Sequence, residues 1–359
     1  MINIHTHTFL EKDIPRDFLP LGLVRVLNTK VGYFMLSRIL KNLNPFSNQD
    51  QFERYITFVK IGKSNTQADI LQMCAEQYPE GTTFVIHPMD MAYMEAGPVP
   101  RPYKEQLLEL TRLMYGQVVT CPKSSIIPFI HIDPRRPNYY DLFTWAMSEG
   151  FGGVKLYPPL GIFPYDERLD CIYEYCQANK IPVLAHCSPG NPVYYRGSRK
   201  KLIALLQSGV RTGRDSVRTG RDLSYDNLTN RDLCAYFTHP ANYQYVFEKF
   251  PDLKICLAHF GRENEWDKII RRMMQQYPNL YCDISYSLYD QEHWGYLKVL
   301  LSTDSIFRQR CMFGSDWYMN AVECNEKQFS INLRAYLGED LWHQIAVINP
   351  HKYLNSCNY

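Results

Sequence analysis

Two histidines one residue apart open the chain, His5 and His7 in MINIHTHTF. In an extended strand, residues two apart project from the same face. This spacing therefore sets two imidazoles side by side, with Ile2, Ile4, Thr6 and Thr8 on the other face, Ile2 and Ile4 packing outward against helices. Neutral imidazole suits zinc and other borderline divalent ions. The same alternation puts ionisable groups at the C-terminal ends of other apolar runs. His186 in IPVLAHC shares a face with Leu184 and Pro182, His259 in LKICLAHFG with Leu257 and Ile255, and Asp316 in RCMFGSDW with Gly314 and Met312. A lone histidine at such a place is ordinarily a hydrogen-bonded core residue. Four histidines and an aspartate, all at strand ends, fit one convergent site with the donor types of a divalent-metal centre.

Such convergence needs a scaffold that brings many strand ends together. Eight short β-like runs recur: Ile2–Thr8, Thr82–Pro88, Ser125–Asp133, Gly153–Tyr157, Ile181–Cys187, Leu253–Phe260, Leu280–Ser285 and Arg310–Asp316. Helical patterns lie between them, at Gln67–Tyr78, Tyr103–Tyr115, Tyr139–Ser148, Glu167–Asn179, Asn242–Phe250, Glu265–Gln276 and near His293–Leu301. Strands alternating with helices imply a parallel sheet, and eight of them suit closure into a TIM-type (β/α)₈ barrel, with a doubly wound open sheet as the competing architecture. Barrels of this kind form single domains well beyond 250 residues, so residues 1–359 are read as one domain. Two connections are long, about 9–65 after the first strand and 188–240 after the fifth. Both follow strands and would stand over the barrel mouth as lid or pocket elements. The second contains VRTGRD twice, at Val210–Asp215 and Val217–Asp222, a polar tandem copy read as a solvated loop or as an arginine-bearing flap for an acidic substrate.

The composition excludes several classes. Hydrophobic residues make up 45% and charged residues 21%, with a net charge of +2 and no basic or acidic run. Nothing there favours nucleic acid or an anionic membrane surface as partner. No segment approaches the ~18 apolar residues of a membrane span. The eleven cysteines, without a CxxC pair and partly inside apolar runs, read as reduced core residues of a cytoplasmic protein. The expected partner is a small-molecule substrate, with a homodimer as the default assembly by analogy with such barrels.

At this point the chain resembles the amidohydrolase superfamily, and more closely its amidohydrolase-related branch of aminocarboxymuconate-semialdehyde-decarboxylase-like enzymes and lactone hydrolases. The matching pieces are HTH, GFGGVKLYP, VLAHCSP, FPDLKICLAHFGR, LYCDIS, FGSDW and the closing INPHKYL, in order from Met1 to about Leu354. The resemblance implies that His5, His7, His186 and Asp316 bind one divalent ion, zinc, with manganese or iron as alternatives. It implies that His259 hydrogen-bonds the attacking water or polarises the substrate oxygen, and that Asp316 moves the proton. The implied activity is hydrolysis of a small cyclic or carboxylate-bearing substrate, a lactone or amide. Non-oxidative decarboxylation by the same site is the rival activity, and a barrel that binds a ligand without turnover is the non-enzymatic one.

Other residues have lesser parts. Lys155 is inward by alternation, either a carboxylated bridge between two metals or a charge partner for a substrate carboxylate. Arg262 replaces the glycine that often follows HFG in the family, and is read as a carboxylate clamp or as a surface residue at a helix start. Tyr157 and Trp317 follow strand ends, where they could pack the substrate. His87 and His131 close the second and third strands, and Asp283 is expected to hydrogen-bond a metal-binding histidine.

Overall fold

The β-branched and aromatic runs form eight parallel strands whose spatial order follows the sequence: β1 (Ile2–Thr6), β2 (Thr83–Ile86), β3 (Ser125–His131), β4 (Gly153–Leu156), β5 (Val183–Ala185), β6 (Ile255–Leu257), β7 (Leu280–Asp283) and β8 (Cys311–Met312). The computed structural model describes residues 1–18, 57–116, 124–190, 193–209, 225 and 227–355. Backbone bonds from Ile4 to Phe313 and from Asp316 to His5 join β1 to β8 and close the ring. The architecture is the TIM-type (β/α)₈ barrel expected from the alternation.

Helices alternate with the strands. They are α1 (Gln67–Ala75), α2 (Tyr103–Met114), α3 (Tyr139–Ser148) and α4 (Asp170–Ala178), then α5 (Arg199–Ser208), α6 (Asn230–Cys234) and α7 (Asn242–Lys249) after β5. They continue with α8 (Glu265–Gln276), α9 (Trp294–Thr303) and α10 (Ser305–Arg308), and the chain ends in α11 (Glu326–Leu337), α12 (Glu339–His343) and α13 (Asn349–Leu354). Of the long connections, 19–56 and 210–224 lie outside the described residues, and with them both VRTGRD copies. No helix among the described residues is long and apolar enough to cross a membrane.

Two apolar cores result from the period of two. Phe84, Ile86, Val154, Leu156, Ile255 and Leu257 pack outward against the helices. Val85, Phe129, Leu184, Cys256, Tyr281 and Met312 fill the barrel, where Tyr353 and Leu354 of α13 join them as a plug. Contrary to expectation, Ile2 and Ile4 belong to this inner cluster rather than to the helix-facing one. The register of β1 slips between Asn3 and Thr6. Such a bulge breaks strict alternation, so Ile4 and His5 both reach the interior.

Gly153 pairs with Phe129 in the ladder, and a Cβ there would lie 2.4 Å from Phe129 Cζ. The Phe129 ring is fully buried, so it has nowhere to go. Gly153→Ala is therefore expected to cost about 1–3 kcal/mol of stability by overpacking, read from the midpoint of urea denaturation.

Candidate active site

The strand ends deliver their polar side chains to the C-terminal mouth of the barrel. His5, His7, Lys155, Tyr157, His186, His259 and Asp316 line one cavity there, about 360 Å³ with its opening to solvent included. Two of them reach it through unusual backbone. By alternation His259 belongs with Leu257 and Ile255, but those two face the helices. The strand has ended by then, and a φ of 72° turns His259 inward. Asp316 has a φ of 66°. Left-handed backbone costs a non-glycine residue about 1–2 kcal/mol, and it commonly marks functional positions. The loop after β6 is held by Asp267, whose carboxylate accepts the amides of Gly261 at 3.2 Å and Glu263 at 3.0 Å.

Hydrogen-bond partners assign the tautomers. His7 Nδ1 lies 2.7 Å from the carbonyl of His87, which can only accept, so Nδ1 carries the proton. His5 Nδ1 lies 3.0 Å from Asp283 Oδ2 and likewise donates. Ser285 Oγ donates to Asp283 Oδ1, so its lone pairs face His5 Nδ1 at 2.9 Å and His259 Nδ1 at 3.0 Å. The Ser285 carbonyl, 2.9 Å from His259 Nδ1, is a second acceptor there. All three histidines thus keep Nε2 unprotonated, that of His5 facing Lys155 Nζ at 3.0 Å. His259 Nε2 meets His186 Nδ1 at 2.9 Å, a hydrogen bond that puts the proton on His186 Nδ1 and makes its Nε2 the acceptor nitrogen.

Acceptors consequently face acceptors. Asp316 Oδ1 is 3.2 Å from His7 Nε2 and 3.7 Å from His5 Nε2. A proton or a metal ion must be shared across such a group. His5, His7 and Asp316 present donor atoms within 4.8 Å of one another, as do His5, His259 and Asp283, while His186 stands outside both groups beside His259. Burial, and then the Lys155 cation, hold His5 well below its ordinary pKa; burial also lowers His259. Neutral imidazole is the ligand form. Burial pushes Asp316 up, but His7, and then His5 and His259, outweigh it when a ring carries the shared proton and keep the carboxyl below its ordinary value.

Lys155 is fully buried, and its Nζ lies 3.0 Å from His5 Nε2. Burial lowers it to about 8, against the pull of Asp316 and Asp283. Tyr157 packs its ring on His186 with centroids 4.5 Å apart. Arg262 and Trp317 are not among the cavity walls. Arg262 is exposed and lies over the Tyr289 ring at 5.1 Å. Trp317 is buried in the seam between β1 and β8, where its backbone pairs with Thr6. Sequence reasoning missed Phe9, Met89, Met91, Val193 and Met319 in the wall, and Ser285 beneath it. Phe9 was reachable, since it continues the 5, 7, 9 alternation; the methionines carried no such signal.

His131 is a buried neighbour of Lys155 on β3, and its Nδ1 accepts the Asp90 amide at 2.8 Å. Burial lowers its pKa to about 4. Unfolded histidine titrates near 6.5, so between pH 6.5 and 4 the unfolded chain binds the extra proton. The stabilisation is whole above pH 6.5 and disappears as the pH falls through 4. His131→Asn, whose Oδ1 can accept the same amide, is expected to flatten this limb by up to about 3 kcal/mol, measured by denaturation at several pH values.

The sequence pattern of the amidohydrolases matches residues 129–355, well over half of the chain. The chain belongs to the amidohydrolase family, and it is an enzyme of that metal-dependent superfamily. No curated protein matches the chain. Among solved structures, a Burkholderia multivorans amidohydrolase with bound HEPES is 11% identical, with TM-score 0.53 over 99% of this chain and 98% of that one. A zinc-bound form of it is 10% identical, with TM-score 0.51 over the same shares. An Acinetobacter baumannii protein assigned as a 2-pyrone-4,6-dicarboxylic acid hydrolase, with citric acid bound, is 9% identical, with TM-score 0.50 over 99% and 98%. At these identities the likeness is one of fold.

Proposed function

We propose that the chain is a mononuclear hydrolase of a small cyclic or carboxylate-bearing substrate of the lactone or amide type, with His5, His7, His186 and Asp316 holding one divalent ion, zinc. The observation that carries this is the facing of acceptors: the unprotonated Nε2 atoms of His5 and His7 converge on the Asp316 carboxylate, each Nδ1 being pinned to an oxygen, with Lys155 Nζ the one cation beside them in the described wall. That donor set fits a divalent ion. The zinc-bound Burkholderia multivorans structure supports the choice of metal.

The ion, when bound, supplies Lewis acidity and brings the pKa of a water toward ~7. Asp316 takes the proton of the attacking water and returns it to the leaving group. His259 has its Nδ1–H committed to Ser285 and its Nε2 lone pair to His186 Nδ1–H, so it would take a water proton only where that water replaces His186 as its donor. Lys155 is the cation of the described cavity wall and the partner for a substrate carboxylate. Tyr157 backs His186 and orients the substrate against it.

Elemental analysis of protein purified without added metal tests the reading. About one zinc per chain is expected in wild type and none in His5→Ala/His7→Ala. About two would move Lys155 into a metal bridge, and none even after reconstitution would overturn the assignment. Assays of metal-loaded enzyme then separate ring-opened acid, the expected product, from released carbon dioxide, which would make it a decarboxylase.

A further inference from the structure

The turn that delivers His259 runs through three positive φ values, 72° at His259, 128° at Gly261 and 52° at Glu263. β6 ends at Leu257, so this backbone needs other tethers. One set comes from β7. The Asp283 carbonyl accepts the Phe260 amide at 2.8 Å, and its carboxylate accepts that of His259 at 3.1 Å. The other set comes from Asp267, in the first turn of α8 and only 2% exposed. Its Oδ2 accepts the Gly261 amide at 3.2 Å and the Glu263 amide at 3.0 Å. An acidic residue at this place ordinarily serves the helix end itself. Here Asn264 already caps α8, its side chain accepting the Asp267 amide at 3.0 Å. The Asp267 carboxylate is thereby left for the turn.

We propose that Asp267 is a positioning residue for His259: it holds the left-handed turn that aims the ring, Nδ1–H toward Ser285 and Nε2 toward His186, from outside the described cavity wall. The proposal rests on the hydrolase reading for what His259 does there. Strained backbone persists only where its surroundings over-determine it. Two of the three left-handed residues, His259 and Glu263, are not glycines, so a turn released at Gly261 and Glu263 relaxes toward ordinary φ. Rotation of the backbone at His259 carries its ring away from the Ser285 carbonyl, which lies 2.9 Å from Nδ1 and keeps the proton there. Alanine at position 267 leaves the helix cap intact, because Asn264 bonds a backbone amide that alanine also has. Asparagine keeps an oxygen for the two turn amides, although neutral hydrogen bonds are weaker than those to a carboxylate.

The test uses the full-length protein with nitrogen-15 in its histidine rings, read by nuclear magnetic resonance. The ring signal missing from His259→Gln identifies His259, and in wild type it should show the Nδ1–H form. Asp267→Ala is expected to move that signal toward an average of the two tautomers. It should also lower kcat for opening of δ-valerolactone by up to about 10²-fold, the scale of a small misplacement, with KM and metal content unchanged. Asp267→Asn should restore the signal and most of kcat. A folded Asp267→Ala whose His259 signal stays as in wild type, or moves with kcat unchanged, overturns the proposal and leaves Asp267 a support of the fold alone. If the alanine variant does not fold, amide exchange decides. Slow exchange at Gly261 and Glu263 in wild type, faster in Asp267→Asn, is the expected result, and equal exchange in the two overturns the proposal. A moved signal in the variant, with no lactone opening by metal-loaded wild type, would uphold the positioning and overturn the hydrolase reading instead.

Discussion

Asp316→Asn is expected to lower kcat by about 10²–10⁴-fold, the usual contribution of a positioned general base. The substitution is nearly isosteric, so the left-handed turn and its backbone bond to His5 should persist. What changes is the polarity of the contact with the histidines. The new amide can donate to His7 Nε2, now 3.2 Å from a carboxylate oxygen. It would satisfy that lone pair without any cation and so stabilise the metal-free protein against loading. Steady-state kinetics at saturating metal, beside the metal content of the same samples, distinguish the two effects. Full activity in a fully loaded variant would remove Asp316 from the chemistry and leave it as a ligand at most.

Removing Asp283 should be the most damaging change outside the cavity wall. Its carboxylate is wholly buried and collects His5 Nδ1, the Ser285 hydroxyl and the amides of His259 and Ser285, tying β1, β6 and β7 together. Asp283→Ala strands these donors, and breaking a buried charged network in this way costs about 3–5 kcal/mol, measurable by denaturation. Metal affinity should also fall about 10–100-fold, as is usual when the partner of a liganding histidine is lost. Asp283→Asn separates the two effects. Its oxygen can still accept one amide, but its NH₂ facing His5 Nδ1 forces the proton onto Nε2 and cancels the lone pair that the metal needs. A variant that folds well yet binds metal weakly is the expected result.

Much of this molecule is legible along the chain, because alternation and helical periodicity are local properties. The spans Tyr139–Ser148 and Glu265–Gln276 fall where the pattern puts them, and all eight strands exist, although several are shorter than their apolar runs. His5, His186 and Lys155 were readable as inward residues at strand ends for the same reason, whereas Asp316 arrives by a left-handed turn beyond the end of β8. Tertiary structure decided the rest. The register of β1 against β2 shifts between Asn3 and Thr6, and Ile4 faces inward against the local pattern. His259 enters the cavity through a positive φ imposed where β6 has ended, not through alternation. Arg262 goes to Tyr289 rather than to the cavity because the left-handed turns at His259 and Gly261 redirect the chain before it. The tautomers of His5 and His259 depend on Asp283 and Ser285, which lie far from His5 in sequence and meet it only once the barrel closes. Residue types and strand periodicity therefore determined which side chains could do the chemistry. Ring closure decided which nitrogen each of them presents.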